Sequence, residues 1–285
     1  MDLRLGMINF SNGLVPDYEL DLPGCTKRYD IPSVLNKSLY QGELDISPVS
    51  SMEYLHHSES YQILPGMCIS SKNYVKTVGV FSAFKPDQWD GKKIYMTGAS
   101  LTSIYLLQLL CKKYLKVQPE FYYQDALGRN DEDPEQIMKE FDGVLFIGDR
   151  VIEARQTLKC NYYDLAQLWY QCTSQAFVFA LWLVRDSVAV SRPDQVEHFL
   201  NRQLRSIEKG LANLDAIYEA NYQNLKFGRD ELKEYLSHSL GYFLGESELQ
   251  GLARFNSDLA ECGFLNTAAE IRFFEGTPRA MAVGS

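Results

Sequence analysis

A chain of 285 residues is long for one domain and sufficient for two. Hydrophobic residues make up 46% and charged residues 23%, a globular balance that excludes global disorder. The formal net charge of −9, with no run of Lys and Arg, argues against nucleic acid and for a small ligand or a protein partner. An anionic ligand would be repelled by the mean field, so local dipoles would have to hold it. The opening residues Met1 to Gly6 read as the start of a strand rather than a signal peptide, and this points to the cytoplasm. The longest apolar run, Ala176 to Val184, falls well short of the ~18 residues a membrane span requires, so no membrane partner is expected. Six cysteines stand apart with no C-x-x-C pair, which predicts free thiols and neither metal nor disulfide framework. No cofactor motif is present either: the chain has no G-x-G-x-x-G, no P-loop and no H-E-x-x-H.

In chain order, Leu3 to Phe10 reads as a strand broken by Ser11-Asn12-Gly13. Asp30 to Tyr40 has helical spacing at Val34, Leu35 and Leu39, and Gly42 closes it. Leu44 to Val49 is a short strand, and Ser50-Ser51 caps a helix through Met52, Tyr54 and Leu55. Tyr61 to Ser71, Thr77 to Phe84, Lys93 to Met96 and Phe121 to Tyr123 read as strands. Between the last two, Thr97 to Ser103 opens a helix with apolar residues at Ile104, Leu107, Leu110 and Leu115. Asn130 to Glu135 is polar and acidic and reads as a loop leading into a short helix. Gly143 to Gly148 is a buried strand, followed by a helix over Arg150 to Gln156. Trp169, Tyr170 and the run Phe177 to Trp182 read as a buried strand crossing near a hinge. The last third is helical, with one long amphipathic stretch from Val196 to Tyr222 and helices over Arg229 to Ser239 and Glu246 to Cys262. The tail after Arg272 has no period and is expected to be mobile. This rhythm predicts an α/β fold with residues 83–185 inserted in a first domain made of 1–82 and 186–285, and a cleft between the two.

Three loops follow a strand and precede a helix: Ser11-Asn12-Gly13, Pro48 to Ser51, and Gly98 to Ser103. Helix N-termini and adjacent hydroxyls can hold carboxylates without arginine, so Ser11, Ser50, Ser51, Ser100, Thr102 and Ser103 are candidate ligand contacts. The plainer reading of each is an ordinary helix cap. Asp149 follows a buried strand and either faces the cleft or caps the next helix. His56, His57, His198 and His238 lack the context of a hydrolytic triad.

The segment Gly42-Glu43-Leu44-Asp45-Ile46-Ser47-Pro48-Val49-Ser50-Ser51-Met52-Glu53-Tyr54 resembles the G-E-L-D-I-G-P-V-S-S-x-E-Y segment of MqnA-type chorismate dehydratases. Further matches fall in family order: Asn12, Cys68 to Ser71, Leu101-Thr102-Ser103, Ile147-Gly148-Asp149, Tyr163-Asp164-Leu165, Trp169-Tyr170, Phe177 to Trp182 and Tyr242-Phe243-Leu244. The resemblance implies a two-domain fold like the type II periplasmic binding proteins. It implies a hydro-lyase that turns chorismate into 3-[(1-carboxyvinyl)oxy]benzoate and water on the futalosine route to menaquinone, with no metal or organic cofactor. It associates catalysis with Asn12 and with Thr77, which stands where the family has the Ser of G-P-V-x-S. The proton acceptor stays open among a substrate carboxylate, water and Asp149.

Three alternatives remain, of which a ligand-sensing domain of a regulator finds no DNA-binding segment in this sequence. A dihydroxynaphthoate synthase of the same pathway would carry a His where Gly148-Asp149 stands. A non-catalytic binding protein for a small carboxylate would need an export signal.

Overall fold

The computed structural model describes residues 3–124 and 133–276. Two five-stranded sheets organise the chain. The first contains β1 (Arg4–Ile8), β2 (Thr26–Asp30), β3 (Ile46–Ser50), β4 (Tyr61–Ser71) and β10 (Phe177–Arg185), in the order β2-β1-β3-β10-β4. The second contains β5 (Val78–Ser82), β6 (Lys93–Met96), β7 (Glu120–Tyr123), β8 (Gly143–Ile147) and β9 (Asn161–Asp164), in the order β7-β6-β8-β5-β9. In each sheet the strand that arrives by crossing runs against its neighbours. β5 is antiparallel to β8 and β9, and β10 is antiparallel to β3 and β4, while β1, β2 and β3 are mutually parallel, as are β6, β7 and β8. Strands covered on both faces read as near-continuous apolar runs, as in β8 and in β10 up to Val184. β3 pairs with β1 only at Leu5↔Ile46, and this frees one of its sides at Pro48, a residue that cannot donate to a ladder.

Several expectations are corrected here. The chain leaves the first sheet after Ser71 and returns at Phe177, so β5 belongs to the inserted unit and β10 to the first sheet. The boundaries at 83 and 185 are therefore displaced by one strand at each end, because an apolar run does not announce its pairing partner. Trp169 and Tyr170 lie on the helix Leu165–Thr173, not on a strand. The stretch 196–222 breaks at Asn213 (φ −129°, ψ 39°) into the helices Pro193–Ala212 and Leu214–Asn221. The chain beyond Arg272 is held as far as described. Phe274 N donates to Ile63 O at 2.9 Å, and Phe274 is buried. The rest of the tail and residues Asn130 to Glu132 lie outside the described residues. β2 was not expected, since its exposed face carries no apolar alternation.

The C-terminal helices pack back on the crossing region. Helix Glu246–Glu261 approaches so closely that a Cβ at Gly251 would stand 1.9 Å from Ala176 O.

Candidate active site

The C-terminal ends of β1, β3 and β8 and the start of β5 meet between the sheets. They enclose a cavity of about 60 Å³ whose walls are largely apolar, with five polar side chains: Asn12, Ser50, Thr77, Ser100 and Ser103. No side chain in this lining titrates near neutral pH.

Local folding places each polar group. Asn12 sits in the single 3-10 turn Ser11–Gly13 that follows β1, and Tyr242 Oη donates to its backbone carbonyl at 3.2 Å. Its side-chain Oδ1 is buried and has no hydrogen-bond partner among the described residues. A buried acceptor in that state costs ~1–3 kcal/mol, which a ligand donor would recover. Ser50 caps the helix Ser51–His56: its Oγ accepts from Glu53 N at 3.2 Å and from Asn36 Nδ2 at 3.0 Å. With two donors on that oxygen, the hydroxyl proton remains to donate into the cavity. Ser100 caps the helix Leu101–Leu109, accepting from Ser103 N at 3.3 Å, and the two hydroxyls lie 2.9 Å apart.

Thr77 ends the crossover from β4 to β5. Its Oγ1 lies 2.9 Å from Tyr235 Oη. The residue before it, Lys76, has φ 68°, a left-handed backbone that costs a non-glycine residue ~1 kcal/mol or more. Asp164 fixes this conformation, accepting from Lys76 N at 2.7 Å and Val75 N at 3.3 Å while capping its own helix through Ala166 N and Gln167 N. Burial pushes the Asp164 carboxyl up to about 6, against those four N–H groups. Tyr162 Oη adds a bond to Lys76 O at 3.0 Å.

Four sequence-named residues, Ser11, Ser51, Thr102 and Asp149, stand outside this cavity's lining and are bonded within the protein. Ser51 Oγ donates to Val178 O at 2.7 Å. Thr102 Oγ1 accepts from Met52 N at 3.1 Å, so it caps the neighbouring helix. Ser11 donates to Asp149 through N at 3.3 Å and through Oγ at 2.9 Å. Asp149 therefore joins the two sheet units across the cleft and neither faces the cavity nor caps its own helix. Burial holds its carboxyl above the ordinary carboxylate range, and the Ser11 bonds oppose that rise. Gly148 beside it has φ 62°, and any Cβ there would press on the Phe10 ring at 3.2 Å.

Phe10 also marks the boundary with a wider cleft of about 920 Å³, where Lys37 and Arg150 lie among the lining residues. Sequence reasoning missed Tyr235, Asp164 and Asn36, which touch the site through residues far away in the chain; only Asp164 carried a signal, as the middle of Tyr163-Asp164-Leu165.

The model of a family described as menaquinone biosynthesis matches residues 3–261. A chorismate dehydratase from Thermus thermophilus is 30% identical over 268 residues, covering 88% of this chain and 93% of the relative. A crystal structure of a protein from Archaeoglobus fulgidus superposes with TM-score 0.72 at 19% identity, covering 93% of this chain and 98% of that one. The periplasmic aliphatic sulphonate binding protein SsuA from Escherichia coli superposes with TM-score 0.64 at 14% identity, covering 97% and 92%. The architecture is thus that of the periplasmic binding proteins, and the chain itself, matched over nearly its whole length, belongs to the menaquinone biosynthesis family.

Proposed function

We propose that the protein is a chorismate dehydratase working in the cytoplasm, and that chorismate binds between the two sheets with its ring against Asn12 and Thr77. The observation that carries this reading is the buried, unpartnered Asn12 Oδ1 sharing one small cavity with the Thr77 hydroxyl. The reaction breaks a ring C–O bond, removes a proton from the adjacent carbon and leaves an aromatic ring plus water. Aromatisation supplies the driving force, so the protein needs to orient the ring and steady the departing oxygen. Asn12 does not titrate, so its role is to accept from the leaving hydroxyl or to orient a carboxylate. Thr77 donates to the departing hydroxide. Ser50, Ser100 and Ser103 supply donors for a carboxylate at the start of the helix Leu101–Leu109. With no titratable side chain in the lining and Asp149 engaged by Ser11, the proton goes to a substrate carboxylate or to water.

A cavity of about 60 Å³ is far below the roughly 300–1,000 Å³ of small-molecule sites, so the sheets must part to admit the substrate. We assign that motion to the two crossovers, 72–77 and 165–176, taking each sheet with its helices as one domain.

Replacing the Thr77 hydroxyl tests the reading. Thr77→Ser retains most activity on chorismate, and Thr77→Val loses about 10²–10³ in kcat, the scale of one transition-state donor. Activity of Thr77→Val near that of the unaltered protein would place the chemistry elsewhere. The likeness to sulphonate-binding proteins favours a second reading, non-catalytic capture of a small carboxylate. Tight chorismate binding with no turnover would identify it.

A further inference from the structure

We propose that Tyr235 is a positioning residue for the dehydration, holding the Thr77 hydroxyl so that its proton points into the cavity. This rests on the function proposed above. Tyr235 does not line the cavity; it stands behind Thr77. The argument begins with its own donor. Tyr235 is 1% exposed, so its phenol must donate inside the protein. Among the described residues Thr77 Oγ1, at 2.9 Å, is the hydrogen-bond partner of Tyr235 Oη. The phenol therefore donates and Thr77 accepts. The Thr77 proton then has two directions. One is Val75 O at 3.5 Å, the outer limit of a hydrogen bond, and the other is the cavity. A substrate oxygen at ordinary distance outcompetes the first.

The surroundings of Tyr235 serve that geometry. Tyr235 opens the π-helical turn Tyr235–Ser239, which follows the helix Arg229–Glu234. Such turns re-aim side chains and recur at functional sites. Its ring stacks on Phe227 with centroids 4.9 Å apart and planes at 11°. The preceding residue, Glu234, forms an ion pair with Lys76, the residue before Thr77. Two successive residues of the C-terminal part thus grip two successive residues of the crossover loop. Burial also pushes the Tyr235 phenol upward, which keeps it protonated and a donor throughout the neutral range.

The test is a cycle of four proteins: unaltered, Tyr235→Phe, Thr77→Val and the double variant. Each is assayed on chorismate for kcat and KM, with a thermal melt. Tyr235→Phe keeps the ring and its stack on Phe227, so its fold is retained. The expected result is a kcat lower by about 5- to 20-fold, the loss of one buried hydrogen bond, with KM within about twofold. In the Thr77→Val background the same change costs nothing further, because the two groups act as one unit. An unchanged kcat in Tyr235→Phe overturns the inference. So does a loss that appears equally in both backgrounds, or one confined to KM. If the unaltered protein leaves chorismate intact, the function and this role fall together; if it turns chorismate over and only the cycle disagrees, this role alone falls.

Discussion

Hydroxyls in front of helices have two uses, and the two diverge here within a single turn. Ser50 caps its helix and still lines the cavity, whereas Ser51, the next residue, is held by Val178 O, 127 positions away. Thr102 is held by Met52 N, 50 positions away, while its neighbours Ser100 and Ser103 keep to the cavity. A sequence shows which residues can donate and not which distant backbone atom already takes the bond. Replacing Thr102 by Val leaves a buried N–H at Met52 unpaired and is expected to destabilise the fold by about 1–3 kcal/mol in denaturant titration. Chorismate affinity should stay within about twofold by calorimetry; a large loss of affinity with no loss of stability would return Thr102 to the ligand site. For Asn12 the side-chain oxygen is the working part, since the contact with Tyr242 uses its backbone carbonyl. Asn12→Ala should cut turnover by about 10-fold or more while leaving the melt nearly unchanged. An Asn12→Asp variant faster than the unaltered protein would mean that the site lacked a base, and the orienting role would be wrong.

At the scale of elements, strands of strong apolar character were legible and their partners were not. β8 and β10 stand out in the sequence, yet only the pairing of β10 with β3 and β4 shows that it belongs to the first sheet. The helix Leu165–Thr173 was hidden because Trp169 and Tyr170 read equally well as part of a buried strand. The link between Ser11 and Asp149 joins the turn after β1 to the helix after β8, elements 138 residues apart, and no local pattern could disclose it. That link carries a pH signature. Because burial raises the folded-state pKa of Asp149, its contribution to stability is full below its unfolded value and is lost as pH rises through the folded one. Asp149→Asn cannot ionise. Relative to the unaltered protein it should therefore gain stability as pH rises from the ordinary carboxylate range toward neutrality, read as a narrowing or reversed difference in Tm. A Tm difference constant across that range would show that the carboxyl is not held above its ordinary range.

For the whole molecule, the family resemblance carried the architecture and named Asn12 and Thr77, while physical reading of the sequence reached two α/β units, a cleft and the loops that bring Ser50, Ser100 and Ser103 to the cavity. What neither supplied was the size of the cavity that five polar side chains share, about 60 Å³. The opening proposed above would break the Ser11–Asp149 contact, which joins the turn after β1 to the helix after β8. Cysteines placed at positions 11 and 149 and oxidised should reduce turnover to background, with recovery on reduction, while the unaltered protein with its six native cysteines is unaffected by the same oxidant. Retained turnover in the crosslinked form would mean that substrate enters without that opening. The central claim, dehydration of chorismate by this chain's own residues, is tested most directly by incubating the purified protein with chorismate, with and without chelator, and following mass and absorbance. The account predicts loss of one water per chorismate and appearance of 3-[(1-carboxyvinyl)oxy]benzoate at the same rate in both; chorismate left unchanged in both would contradict it.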